Sequence, residues 1–218
     1  MIETGVYFDN MHSFHNLNLV LSKVDIPPAL PKTNYVEVSG GDGAIDLTEA
    51  HGEVRYSDRN CKFTFSMHPM DTMTWEQKQT AISNALNGKR FERITLDKDS
   101  DYYFTGRCTV DSWSQDRKNR KIVVSARVKP YKMKQDITVH RYDLTKDEKT
   151  VRLWNGRKSV VPTFECSNDN TVVVFNGGTY TLAAGTHKIL DICFKEGENV
   201  LKLSGSGNIK ISYQEGEL

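Results

Sequence analysis

Three carboxylates, Asp42, Asp46 and Glu49, fall close together in the glycine-bearing stretch Gly40-Gly41-Asp42-Gly43-Ala44-Ile45-Asp46-Leu47-Thr48-Glu49. Hard oxygen ligands grouped in this way could hold calcium. An EF-hand, however, sets its carboxylates at alternate positions and closes with a glutamate at the twelfth, and this spacing does not. The expected arrangement is a tight turn at Gly40, Gly41 and Gly43, followed by an Asp46 side chain that caps Leu47-Thr48-Glu49 locally. His12 and His15 have an H-x-x-H spacing, but neither the glutamate of a zinc hydrolase nor a third ligand accompanies them, so surface or partly packed imidazoles are expected. Serine, histidine and aspartate are all present, without the G-x-S-x-G elbow that would expose a nucleophile. Ser204-Gly205-Ser206-Gly207 reads as a turn, since no helix or G-K-[ST] sequence follows it to cradle a phosphate. Glycoside hydrolysis needs two facing carboxylates, and nothing in the sequence selects a pair. Trp154 could stack a sugar ring, although packing in a core is the favoured expectation for it. These residues give no catalytic, cofactor or metal assignment.

The four cysteines, Cys61, Cys108, Cys166 and Cys193, are far apart and include no C-x-x-C pair. Buried, reduced thiols serving as small apolar side chains are expected, as suits folding in a cytosol. A net charge of +1 gives no electrostatic reason to coat nucleic acid or an anionic membrane. Met1 to Asn10 has no basic region followed by an apolar run, so no secretory signal is expected, and no stretch approaches the roughly 20 apolar residues of a membrane span.

The elements that would position these residues are mostly strands. Tyr35 to Val38 alternates with period two. So does Cys61 to Met67, which puts Cys61, Phe63, Phe65 and Met67 on one face. Tyr103 to Val110 and Lys121 to Val128 are also strand-like, and the polar run Asp116 to Lys121 between them reads as a hairpin tip. One helix is expected. Thr74 and Gln77 form a capping box, Trp75, Ile82, Ala85 and Leu86 share a face, and Asn87-Gly88 ends it, with a strand starting near Phe91.

A composition change around Pro130 to Asp136 suggests two domains, 1–133 and 134–218. The second reads as eight short strands: Thr138 to Tyr142, Val151 to Trp154, Val160 to Cys166, Thr171 to Phe175, Thr179 to Leu182, His187 to Phe194, Asn199 to Leu203 and Asn208 to Tyr213. Turn formers separate them, including Asn155-Gly156 and Asn176-Gly177-Gly178, and the pattern argues for a β-sandwich.

In order and spacing, several segments resemble the distal tail (Dit) proteins of siphoviruses and related prophages of Gram-positive bacteria. They are Phe8-Asp9-Asn10-Met11-His12-Ser13-Phe14, Leu17 to Leu21, Val36 to Thr48, Tyr56-Ser57-Asp58-Arg59, Leu86-Asn87-Gly88-Lys89, Asp101 to Arg107, and the terminal Ser212-Tyr213-Gln214-Glu215-Gly216-Glu217-Leu218. The chain departs from that pattern at Ser39, where proline is usual, and at Asn87, where histidine is frequent. The resemblance implies a mainly β chain. Its N-terminal part would be a β-sandwich with one α-helix and an extended hairpin, the belt. Its C-terminal part would be a galectin-like β-sandwich. Six copies would close into a ring, single or stacked in pairs, each hairpin lying across its neighbour. The ring would join the tail tube to the tail-tip hub protein, with receptor-binding proteins around it in larger baseplates. Such a protein would be made in the host cytoplasm, reside at the virion tail tip, and be a structural part rather than an enzyme, with no cofactor. Gly40, Gly41, Asp42, Gly43 and Asp46, together with the strand pair around Lys121, would lie near ring or tube contacts. The alternative is a carbohydrate-binding sandwich that recognises cell-wall saccharide through Trp154.

Overall fold

Residues that alternate apolar and polar along the chain pair into antiparallel sheets, and the protein is mainly β with sandwich architecture. The computed structural model describes residues 4–50, 52–69, 71–116 and 119–218. It divides into two compact units, Met1–Lys132 and Met133–Leu218. The start of the expected signal-free N-terminus, Met1 to Glu3, lies outside the described residues.

Unit 1 contains β1 (Val6–Phe8), β2 (Met11–His12), β3 (Leu19–Asp25), β4 (Tyr35–Glu37), β5 (Ala44–Asp46), β6 (Arg59–Met67), α1 (Trp75–Leu86), β7 (Arg90–Leu96), a 3-10 turn at Asp97–Asp99, β8 (Tyr102–Asp116) and β9 (Asn119–Val128). Its main sheet runs β2-β1-β7-β8-β9-β6-β3. The sheet curls so that Phe8 on β1 meets Phe63 on β6 edge to face, with ring centroids 6.2 Å apart, although β7, β8 and β9 lie between them in the ladder. Period two on β6 does what the sequence implies, since Cys61, Phe63 and Phe65 are fully buried and Met67 packs partly buried against them. The β8–β9 hairpin pairs out to Asp116 opposite Asn119. Arg120 and Lys121 therefore stand in the ladder, opposite Gln115 and Ser114, and do not form the tip. Strand pairing outruns the apolar pattern there, because backbone hydrogen bonds do not require apolar side chains. Arg117 and Lys118, between the paired ends, lie outside the described residues.

Helix α1 begins as its caps dictate. The Gln77 amide donates to Thr74 Oγ1 at 3.3 Å, and the Thr74 amide donates to Gln77 Oε1 at 3.0 Å. After Asn87, Gly88 takes a φ of +74°, a conformation glycine reaches without a Cβ clash, and β7 follows at Arg90. Trp75, Ile82 and Leu86 are buried and Ala85 is partly buried. Lys78 shares the buried face, with 3% of its side chain exposed, and its ammonium pairs with the Asp71 carboxylate, itself 2% exposed. The Met73 amide also donates to Asp71 at 2.9 Å.

Unit 2 follows β10 (Lys132–Lys134), within which the division falls. It contains β11 (Thr138–Leu144), β12 (Lys149–Asn155), β13 (Thr163–Cys166), β14 (Thr171–Phe175), β15 (Gly178–Leu182), β16 (Gly185–Lys188), β17 (Gly197–Ser204), β18 (Gly207–Tyr213) and β19 (Gly216–Glu217). Two four-stranded sheets, β11-β18-β13-β16 and β12-β17-β14-β15, enclose a core that includes Leu153, Phe164, Val173, Ile192, Phe194, Leu201 and Ile211. Asn176 (φ +47°) and Gly177 (φ +83°) make the two-residue turn from β14 to β15.

Two strand expectations are corrected. The strand expected over 187–194 spans Gly185–Lys188. Beyond it a turn donates from the Ile192 amide to the Ile189 carbonyl at 3.1 Å, and Ile192 and Phe194 fill the core from that loop. The strand expected from Val160 begins at Thr163, and Val160 makes only an isolated bridge to Phe194. Apolar runs in core-filling loops imitate buried strands in composition. Asn155, expected in a turn, is the buried last residue of β12, and its side-chain amide donates to the Lys158 carbonyl at 3.0 Å.

The C-terminal motif closes unit 2. Tyr213, 3% exposed, donates its hydroxyl to the Trp154 carbonyl at 2.5 Å. Burial, with the Glu215 charge, pushes that phenol up to about 12. The Lys134 amide donates to the Glu215 carbonyl at 3.0 Å, and the Lys158 amide to the Gly216 carbonyl at 2.9 Å. A Cβ on Gly216 would meet Met133 Sδ at 3.0 Å, so a larger residue would push this tail out of place.

Candidate functional site

The chemistry weighed from the sequence mostly resolves into packing. His12 is not a surface histidine: it is 2% exposed. Its Nδ1 accepts from the His15 amide at 3.2 Å, so Nε2 carries the proton and donates to Asp97 Oδ2 at 3.1 Å. The Gly5 amide donates to the same oxygen at 2.6 Å. A Cβ at Gly5 would lie 2.4 Å from His12 Nε2, which explains a glycine there. His15 is exposed. Cys61, Cys108 and Cys166 are buried free thiols, whereas Cys193 is only half-buried, contrary to expectation. Burial pushes Cys61 up to about 11 and Cys108 up to about 12, so both stay protonated at neutral pH. Among the described residues, no group of three or more histidine, cysteine, aspartate or glutamate side chains could hold a metal.

What the fold does present is an arm. β3 ends at Asp25, and the chain returns to the sheet only at β6. From Leu30 to Ala50 no residue is buried, and only Thr48 is partly covered. The base is closed by the Lys32 amide on the Arg55 carbonyl at 2.7 Å and the Ser57 amide on the Leu30 carbonyl at 2.9 Å. Outward of this, β4 and β5 form a two-stranded ribbon with Tyr35 opposite Asp46, Val36 opposite Ile45 and Glu37 opposite Ala44. Gly40 (φ +81°) and Gly43 (φ +74°) turn its tip. Asp46 caps as expected, accepting from the Thr48 amide at 2.9 Å, and the Thr48 hydrogen bonds hold its carboxyl below the usual range. Gly40, Gly41, Asp42 and Gly43 occupy the tip and Asp46 the end of β5, all exposed.

Alternation gives the ribbon two unlike faces. Val36, Val38, Ile45 and Leu47 lie on one, at 43%, 47%, 53% and 38% exposure. Tyr35, Glu37 and Asp46 lie on the other. An isolated two-stranded hairpin is marginal in water, and an exposed apolar face with open strand edges invites another chain. The alternation of 35–38 was legible in the sequence, but the absence of any cover over it was not.

No protein-family profile and no curated protein sequence matches this chain. A solved structure does. The crystal structure of the Dit protein (gp 19.1) of SPP1 is described as a paradigm of the hub adsorption apparatus in phages infecting Gram-positive bacteria. It superposes with a TM-score of 0.68 at 12% identity, over 97% of this chain and 98% of that one. This chain has the fold of that protein from end to end. The conserved protein of unknown function PA5104 from Pseudomonas aeruginosa PAO1 has a TM-score of 0.28 at 10% identity, over 89% of this chain and 100% of that one, and carries no argument.

On unit 2, Trp154 is not in the core. It stands on the outer face of β12 at 68% exposure, opposite Glu198, which pairs with Arg152 at 2.7 Å on the same face. Its neighbours Leu153 and Asn155 take the buried positions, because the strand's inward parity falls on odd residues here.

Proposed function

We propose that this protein is a structural component of a phage tail. It forms a hexameric ring at the distal end of the tail tube and links the tube to the tail-tip hub and the host-adhesion device. The observation that carries this reading is the end-to-end likeness of fold to the SPP1 Dit protein, which spans both units and not a single common domain. The arm adds a physical argument. A head-to-tail contact that closes into a ring satisfies a projecting ribbon on every copy and leaves no open edge. In this reading unit 1 is the ring-forming domain, the arm is the belt hairpin that lies across the next copy, unit 2 is the galectin-like sandwich, and no residue is catalytic. The partners are further copies, singly or doubly stacked, the tube protein, the hub protein and receptor-binding proteins. The site of action is the virion tail tip after assembly in the host cytoplasm.

Solution mass tests this directly. Six chains of 24.8 kDa give about 149 kDa, and ring-shaped particles of that mass, or of twice it, are the expected result by light scattering with negative-stain imaging. A monodisperse monomer at high protein concentration would count against the ring.

The exposure of Trp154 beside the Arg152–Glu198 pair favours a second reading, in which the outer face of β12 and β17 stacks a cell-wall saccharide. An indole face offers a sugar ring apolar area, with charged hydrogen-bonding groups alongside. Purified host cell wall should then retain the protein, and Trp154→Ala should lose that retention while keeping the wild-type melting temperature. Equal retention of both proteins would reject this reading.

A further inference from the structure

Unit 1 carries three arginines side by side on adjacent strands. Arg90 on β7 pairs in register with Arg107 on β8, and Arg107 with Arg127 on β9. All three are exposed, on the side of the sheet opposite the buried Phe91, Cys108 and Ala126. Like charges directly opposite one another on neighbouring strands are destabilising. With Lys129 they line an open cleft of about 440 Å³, where Asp58 is the one carboxylate among the lining residues. Asp58 engages Arg127 at 3.1 Å and Lys129 at 3.8 Å, and Arg90 reaches Glu92 at 3.3 Å. Arg107, in the middle, donates instead to the Gly88 carbonyl at 2.5 Å. Among the described residues these four cations share two carboxylates, and the row is a ready site for further carboxylates.

The arm supplies them. Between Asn34 and Ala50 the chain has Glu37, Asp42, Asp46 and Glu49 and no lysine or arginine. All four are exposed. Glu37 and Asp46 sit diagonally on the polar face of the ribbon, on the order of 7–8 Å apart. The arginine row spans about 10 Å at the spacing of neighbouring strands, so two carboxylates so placed can reach different arginines of one row.

We propose that the polar face of the arm of one copy docks on the Arg90–Arg107–Arg127 row of a second copy. This rests on the ring reading above and names the surface that receives the arm. It leaves the apolar face of the ribbon, Val36 to Leu47, to meet another protein of the tail. The attraction is between exposed charges, so assembly weakens as salt rises.

The experiment compares light-scattering mass against concentration for four full-length chains: wild type, Arg107→Glu/Arg127→Glu, Glu37→Lys/Asp46→Asn, and the chain carrying all four changes. Each is checked for an unchanged circular dichroism spectrum. Asp46 is changed to Asn because asparagine loses the charge and keeps the acceptor that caps the Thr48 amide. Each two-site variant should raise the concentration for half-assembly at least tenfold, and the four-site chain should recover part of that loss. Wild-type rings with no change in either two-site variant would overturn the docking and leave the ring reading standing. Wild type that stays monomeric at all concentrations would overturn both. Wild-type binding of double-stranded DNA at 150 mM salt, lost in the arginine variant while its rings persist, would assign the row to nucleic acid and likewise overturn the docking.

Discussion

Replacing Asn34 to Glu49 by a Gly-Ser link of about four residues is expected to leave the protein folded and to abolish ring formation. The wild-type ring of about 149 kDa should give way to a single shortened chain, a little lighter than the full-length 24.8 kDa. The two halves of this result have separate causes. Unit 1 loses nothing from its core, because no residue between Leu30 and Ala50 is buried and none belongs to the cluster built on Phe8, Phe63 and Phe65. The base of the arm keeps its own backbone closure between Lys32 and Arg55. Changes confined to an exposed surface shift stability by about 0.5 kcal/mol or less. Assembly, by contrast, loses the ribbon's polar face, with its carboxylates, and both strand edges at once. A shortened chain that melts like wild type yet still gives rings would remove the arm from the interface. A shortened chain that unfolds would mean that the ribbon supports its own unit, contrary to its exposure.

Lys78→Met is expected to destabilise the protein by about 3–5 kcal/mol, the cost of leaving one member of a buried ion pair without its partner. Asp71, whose side chain is 2% exposed beside Lys78, would keep its charge and lose its counterion. At about 2–4 °C per kcal/mol for a chain of this size, the melting transition should fall by on the order of 10 °C. Adding Asp71→Asn should restore most of the loss, since asparagine keeps an acceptor for the Met73 amide and removes the stranded charge. A double variant no better than the single one would show that Lys78 matters for packing and not for its charge.

The pH dependence separates these cases further. For Asp71 burial acts upward and is the largest influence, but the Lys78 ammonium, the Met73 amide and Asn18 outweigh it and bring the carboxyl below its usual range. A depressed folded-state value means that Asp71 contributes stability above about pH 3.9, the unfolded value, and loses it as pH falls through the lower folded value. In Lys78→Met the largest opposing partner is gone, leaving burial opposed only by the Met73 amide and Asn18, so the carboxyl moves up and protonation relieves the stranded charge. The gap between variant and wild type should therefore narrow as pH is lowered from 7 toward 4, as followed by thermal melts. A gap that stays constant would exclude Asp71 ionisation as its cause.

Local rules determined a good deal of this protein from the sequence by itself. The α1 caps at Thr74 and Gln77, its end at Gly88, the buried face of β6 and the turn at Asn176-Gly177 follow from hydrogen-bonding capacity, side-chain period and glycine's freedom at positive φ. Each depends on residues a few positions apart, which a linear reading sees. The mainly β sandwich class follows from the number of such strands and turns.

Tertiary structure alone decided the rest, because it depends on which distant residues become neighbours. The parity of β12 at its join with the core placed Trp154 outside and Leu153 inside, although a lone tryptophan reads as core. The apolar side of α1 had room for Lys78 because Asp71, seven positions earlier, folds back to meet it. His12 turned inward because Gly5 and Asp97 close over it. Arg90, Arg107 and Arg127 are scattered in the chain and form a row only through the register of β7, β8 and β9. The ribbon between β3 and β6 looks in sequence like any alternating strand. That it stands uncovered depends on what packs beside it, and no residue of the ribbon encodes that locally.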